Sequence, residues 1–381
     1  MDAFSAITGF LGGGLIYLVP FVLVLTVVVF VHESGHFWMG RLFGTRIETF
    51  SIGFGRSLAS WTDRKGTVWK IGWLPVGGYV KFWGDEDATS LPDSERLARI
   101  AEDPNAAQSF HFKPLWQKSL IVVAGPLANF VFAIAVYVLL FMVMGITIVS
   151  PLVGDVRKGS PAETAGIHSG DLIVSVDHTP VDDFGAIERI VMPSGGSPLD
   201  VGLRRGEADL TVTVTPERME TTDLLGRKQY EYRLGIGSSP DAPRRHEQLG
   251  FGDALSKATG QIAFVVTSTI KFIGRLITGN EDPRKLSGPV GIGETAGKLA
   301  QIDMMLLIEL AALLSISIGL VNLFPIPMLD GGHLLFYGIE AVRRRPMGER
   351  SQEYALRIGL ALVLSLMLFA TWNDLMRIFW S

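Results

Sequence analysis

The sequence predicts a polytopic α-helical membrane protein of about four transmembrane helices, with a membrane-associated β-element and an inserted extracytoplasmic β/α domain. Three observations predict it. Four stretches approach or exceed the roughly 20 apolar residues that a bilayer core requires: about 14–36, 119–148, 304–324 and the shorter 358–372. Lys and Arg gather in the segments after the first span and after the third and are absent from the N-terminal end; the long stretch 149–303 carries charges too, but long translocated domains are poor reporters of topology. Between the second and third stretches the pattern changes to short alternating runs broken by turn residues.

Composition narrows the function classes. The chain has 381 residues, 48% hydrophobic and 19% charged, with mean hydropathy +0.32. A net charge of −4 offers no basic field for nucleic acid. There is no cysteine, which excludes disulfides, thiolate metal sites and a cysteine nucleophile. Any metal is left to His, Asp or Glu.

The elements follow in order. Residues 1–45 hold the first span. Its opening, MDAFSA, has no Lys or Arg, so it reads as a retained segment rather than a cleaved signal. Residues 46–118 form the β-element and a cytoplasmic loop. Within them 66–85, "GTVWKIGWLPVGGYVKFWGD", reads as a hairpin or bent sheet, and 86–110 as an exposed polar loop with a helical turn or two. The second span lies in 119–148. Residues 149–238 form the soluble module, where "DLTVTVTPE" alternates with period two. Residues 239–303 form an extracytoplasmic helix and linker. Phe251, Leu255, Ala258, Ile262, Val266, Ile270, Ile273 and Ile277 recur there at helical spacing, the mark of an amphipathic helix packed on the module or lying at the membrane surface. The third span is in 304–335, and 336–381 supply a cytoplasmic loop and the fourth span.

Charge sets the orientation. Arg41, Arg46, Arg56, Arg64, Lys65, Lys113 and Lys118 lie between the first two spans, and Arg343, Arg344, Arg345, Arg350 and Arg357 between the last two. The positive-inside rule puts both segments in the cytoplasm and both termini outside.

The chemistry sits at the end of the first span, "VHESGH". His32 and His36 are four apart, so a helix puts both rings on one face, within reach of one metal ion. Glu33 is offset by one position, near that ion and free to act as a base. Gly35 lets another backbone approach. Ionisable groups inside a bilayer are costly, and they mark function by default. A hydrolytic zinc commonly has three protein ligands. The third candidate is Asp330, in "GLVNLFPIPMLDGGH", since the first and third spans run in the same direction and bring it to similar depth. Pro325, Pro327, Gly331 and Gly332 loosen the backbone there. Alternatives stay open: Asp330 as a mere helix cap, or His333 as the ligand instead. Asn322 is either interhelical glue or a donor to substrate backbone. Asn129 shares that ambiguity and leans structural. Glu309 reads as an interface residue.

These residues carry a resemblance. "HESGH" with "NLFPIPMLDGGH" resembles the site-2 protease family of intramembrane zinc metalloproteases. "FSIGFG" (50–55), "PVGGYVKF" (75–82), "AGPLANF" (124–130) and "LSGPVGI" (286–292) are similar to the bacterial regulator-of-sigma-E protease group. The resemblance implies a fold and a set of roles. Zn2+ would be held by His32, His36 and Asp330, and Glu33 would be the general base. Asn322 would hold substrate backbone. The 46–83 region, with Gly53, Gly55, Gly77 and Gly78 in its motifs, would pair with an unwound substrate as an added strand. It also implies a circularly permuted PDZ-like domain over 149–238, able to take a C-terminal peptide or to exclude bulky substrates. The best-known enterobacterial member has two such modules in tandem, and this chain has room for about one.

The expected function is therefore zinc-dependent cleavage of single-span membrane proteins in the bacterial inner membrane, with the lipid bilayer as partner and no nucleic acid. The implied substrates are anti-sigma factors already trimmed outside, and leftover signal peptides. The rivals are a PDZ-bearing scaffold with a degenerate metal site and a transporter. The second lacks the paired halves that transporters show.

Overall fold

The computed structural model describes residues 3–85, 94–222, 228–345 and 347–380. In chain order the elements are α1 (Ala3–Leu42), β1 (Ile47–Thr62), β2 (Val68–Phe82), α2 (Ser94–Ala101), α3 (Leu115–Val143), β3 (Ile146–Val149), β4 (Val153–Val156), α4 (Pro161–Thr164), β5 (Leu172–Val176), β6 (Thr179–Pro180), α5 (Phe184–Val191), β7 (Leu199–Arg205), β8 (Ala208–Val214), β9 (Glu217–Thr222), β10 (Lys228–Arg233), β11 (Ile236–Ser238), β12 (Arg244–Glu247), α6 (Phe251–Ile277), α7 (Pro289–Ile302), α8 (Met304–Asn322), α9 (Asp330–Arg343) and α10 (Glu349–Trp380). Part of the expected polar loop, 86–93, lies outside the described residues. The chain divides into two compact units, Met1–Val136 with Pro283–Ser381, and Tyr137–Asp282, the boundary falling inside α3.

In the first unit α1 closes with a Schellman turn. Gly44, at φ +65°, donates its N–H to Arg41 O, and Thr45 donates to Gly40 O. That pairing satisfies the orphan carbonyls of a helix end. The chain then enters a bent sheet larger than the hairpin expected from 66–85. Thr49–Ile52 of β1 pairs on one side with Lys81–Gly78 and on the other with Val68–Ile71, while Ser57–Thr62 pairs with Gly72–Val68. Gly53 and Gly55 of β1 and Gly77 of β2 all have positive φ, so the bends fall where a side chain would be strained. Phe37 of α1, Phe50, Val80 and Phe82 of the sheet, and Ile121 and Val122 of α3 join in one core. The sheet is thereby fixed against two apolar helices.

Two span boundaries differ from expectation. The third span ends at Asn322, and Asp330 opens a separate helix, α9. Pro325 and Pro327 supply no N–H to continue α8. The fourth span, read as short, is a 32-residue helix. Among the described residues five helices, not four, are long and apolar enough to cross a membrane, the fifth being α6. It qualifies on average composition although Asp253, Lys257, Gln261, Lys271 and Arg275 recur along its length.

In the second unit β5 lies between β6 and β7, and β8 follows β7, all antiparallel. β4 pairs with β11 and β3 with β12. Ile173, Val176, Val201, Leu203 and Val214 alternate inward onto Ala162, Ile167, Ile187 and Val191. α6 buries Ala254, Ala258 and Val265, and Arg275 donates to Pro193 O at 2.9 Å. A groove of about 340 Å³ runs along α5, bounded by Ile187, Val191, Leu234 and Ile236, with Gln261 and Phe264 of α6 at its side.

The carboxylate of Asp171 is nearly fully buried. It takes two 2.7 Å bonds from Arg205 and one from the His168 N–H. The Arg205 bonds come first among the causes that hold its carboxyl below the usual carboxylate value, followed by opposing burial. A depressed folded value means the contact stabilises fully above the unfolded value of about 3.9 and is lost as pH falls through the folded one. The protection of β5 amides from hydrogen exchange, relative to the intrinsic rate at each pH, is expected to fall below about pH 4, and Arg205→Met is expected to flatten that pH dependence.

Candidate metal centre

Histidines in the last turns of α1 and a carboxylate in the first turn of α9 meet in one place. His32 Nε2 lies 3.2 Å from His36 Nε2. Asp330 Oδ2 is 3.2 Å from His32 Nε2, and Oδ1 is 3.5 Å from His36 Nε2. A tetrahedral ion with bonds of about 2.0–2.1 Å needs ligand atoms about 3.3 Å apart. The three side chains fit such an ion, and their ligand atoms all lie within 4.8 Å of one another. Asp330 Oδ2 is buried without a hydrogen-bond partner, which is costly unless a cation compensates it. His333 is not part of this cluster.

Local chain chemistry produces the convergence. After α8 the chain turns through Ile326 N–H to Phe324 O and Leu329 N–H to Ile326 O, with Met328 at φ +86°. A Cβ on Gly331 would stand 2.3 Å from the carbonyl oxygens of Leu323 and Phe324, and one on Gly332 2.4 Å from Ile326 O. Only glycines let α9 start this close to the turn before it. Gly35 has the role expected of it: its Cβ would lie 2.1 Å from Ala124 O of α3.

The outer nitrogens are held as well. His36 Nδ1–H donates to Ile121 O at 2.9 Å, and His32 Nδ1 contacts the Asn129 amide at 3.3 Å. His36 also occupies the space beside Gly125, where a Cβ would fall 2.2 Å from Nε2. Gly125→Ala is therefore expected to displace His36 and to weaken zinc binding at least about tenfold, as the loss of a ligand's support does. Metal analysis after equilibration with a graded chelator checks it.

A cavity of about 350 Å³ contains His32, Glu33, His36 and Asp330. Its wall includes Gly78, Tyr79, Val80 and Phe82 of β2, Asn322 of α8, and His333 and Tyr337 of α9. Glu33 accepts a hydrogen bond from the Val80 N–H, and a Cβ on Gly78 would come within 3.2 Å of Glu33 Cγ. The edge of the sheet thus runs past the carboxylate. Asn322 donates one amide hydrogen to Ile318 O at 3.0 Å. Gly78 and Asn322 are brought to the cavity. Gly53, Gly55 and Gly77 do not line it and serve bends of the sheet, where Cβ atoms would meet Leu74 O, the Trp73 ring and the Phe54 ring.

The contacts of His32 with Asn129 and of His36 with Ile121 were not foreseeable from spacing, because both come from α3. The one sequence signal was a polar residue, Asn129, inside an apolar span.

The sequence profile of peptidase family M50 matches residues 20–366. The chain is 44% identical over 376 residues to the "Putative zinc metalloprotease Atu1380" of Agrobacterium fabrum, covering 98% of this chain and 99% of that one. A protein of the same designation from Mesorhizobium japonicum is 45% identical over 361 residues, 94% and 98% of the two chains. The metalloprotease MmpA of Caulobacter vibrioides is 39% identical over 386 residues, 96% of each.

Proposed function

This chain belongs to peptidase family M50 and is a zinc metalloprotease, and from that premise we propose that it cleaves single-span membrane proteins within or beside the bilayer, in regulated intramembrane proteolysis. One observation carries the reading. Two histidines, an aspartate, a glutamate and an open strand edge share one cavity among apolar helices.

The roles follow from chemistry. His32, His36 and Asp330 hold the zinc, and Glu33 is the general base. When bound, zinc lowers the pKa of water and polarises the scissile carbonyl. Glu33 takes the proton that water releases as its oxygen bonds to the carbonyl carbon. It returns that proton to the leaving nitrogen as the C–N bond breaks. A helical peptide bond is shielded by its own hydrogen bonds, so the substrate unwinds first. Its exposed backbone pairs with the edge at Gly78–Phe82, and Asn322 steadies it opposite. Gly53, Gly55 and Gly77 act through the shape of that sheet.

The finer proposals rest on the resemblance of the motifs. The 149–238 region is a PDZ-like domain, and its groove along α5 takes a C-terminal peptide or restricts bulky substrates. The enzyme lies in a bacterial inner membrane with both termini and that domain outside. Its substrates are anti-sigma factors trimmed beforehand, and remnant signal peptides. The segment limits given above, from the 1–45 first span to the 336–381 terminal segment, are proposed as its domain organisation, with α6 an extracytoplasmic amphipathic helix packed on the module.

The test is a panel of single-span substrates in detergent or liposomes, with and without chelator, the cuts mapped by mass spectrometry. Cuts within the apolar segment that vanish with chelator and return with zinc are expected. Cuts confined to flanking soluble sequence would overturn the intramembrane assignment.

A further inference from the structure

We infer that Asn129 is a positioning residue for the metal centre: its amide oxygen accepts the His32 Nδ1 proton and so turns the His32 Nε2 lone pair toward His36 and Asp330. The inference rests on the proposal that these three residues hold zinc.

An imidazole that ligates through Nε2 carries its proton on Nδ1, and that N–H needs an acceptor where water cannot reach. For His36 the acceptor is Ile121 O. For His32 the neighbouring group is the Asn129 amide, 3.3 Å away. Asn129 is completely buried, and its Oδ1 has no hydrogen-bond partner. With the amide nitrogen toward the ring, an N–H would face an N–H once Nε2 is committed to a cation. A half-turn of the amide exchanges oxygen and nitrogen within the same outline. It puts the unpartnered oxygen on the Nδ1 proton.

The backbone holds Asn129 in position for this. Ser315 of α8 donates its hydroxyl to Asn129 O at 3.0 Å. Gly319 leaves room beside it, since a Cβ there would lie 3.1 Å from Asn129 Cβ. Plain interhelical glue would bond α8, and it is the backbone carbonyl of Asn129 that does so. The side chain is left for the histidine of α1.

The experiment uses the full-length protein in detergent and measures zinc affinity by chelator competition. Asn129→Leu keeps the branched outline and the number of heavy atoms and removes the acceptor. It is expected to bind zinc about 10–100-fold more weakly. Asn129→Asp keeps an acceptor in either orientation and is expected to bind at least as firmly as the wild type. Wild-type affinity in Asn129→Leu would overturn the inference. So would a tenfold loss in Asn129→Asp, which decides the matter alone if the leucine variant does not fold. Failure of the metal site itself looks different: the wild type would hold no stoichiometric zinc, or Asp330→Ala would hold it as firmly.

Discussion

Glu33→Gln is expected to bind zinc as the wild type does and to cleave about 10²–10⁴-fold more slowly, the range that a positioned general base contributes. The substitution changes little else. Glutamine has the shape of glutamate, and its amide oxygen can still accept from the Val80 N–H that now reaches the carboxylate. The strand edge therefore stays beside the centre. The two histidines and Asp330 contact one another without Glu33, so zinc would keep the ligands proposed for it. What is lost is a basic oxygen that can take a proton from water and release it to the leaving nitrogen. Single-turnover cleavage of a single-span substrate, with zinc measured on the same preparation, separates the two effects. Unimpaired cleavage would assign the base elsewhere. Loss of zinc along with cleavage would make Glu33 a ligand.

Much of the centre was legible because its chemistry is at odds with its surroundings. Three ionisable groups within "HESGH" and an aspartate beside two prolines have no business at the ends of apolar spans unless something compensates them. Helical periodicity then put His32 and His36 on one face without further information. The rest depended on contacts between segments far apart in sequence. Asn129 and Ile121 belong to another helix, and no spacing rule reports which carbonyl will stand beside a ring. Gly125 reads as a small residue in a span, and only packing shows that His36 fills its missing side chain. The sheet was harder still. Thr49–Ile52 serves two partners at once, and alternation along one segment cannot reveal that. The start of α9 at Asp330 was half legible, since the prolines announce an ending but not where the next helix begins.

Asp330→Ala is expected to cost at least about 100-fold in zinc affinity, beyond the 10–100-fold typical of losing an outer contact, and to reduce cleavage below detection. The rival role, a helix cap, differs in magnitude and in kind. An acidic side chain in a first turn is worth about 0.3–1 kcal/mol to its helix, and its removal would spare the metal. The geometry opposes that role. Leu329 is the N-cap of α9 with no side-chain bond, and Asp330 stands inside the helix as its first residue. Its two oxygens face the two histidines instead. Removing the carboxylate would leave a dication with two neutral ligands in a largely buried cavity, where uncompensated charge is expensive. Asp330→Asn retains an oxygen but no charge and should fall between the aspartate and the alanine, regaining some cleavage in excess zinc. If the alanine variant merely lowered thermal stability while holding zinc, Asp330 would be a cap, and the third ligand would have to be sought among the other groups lining the cavity, His333 first.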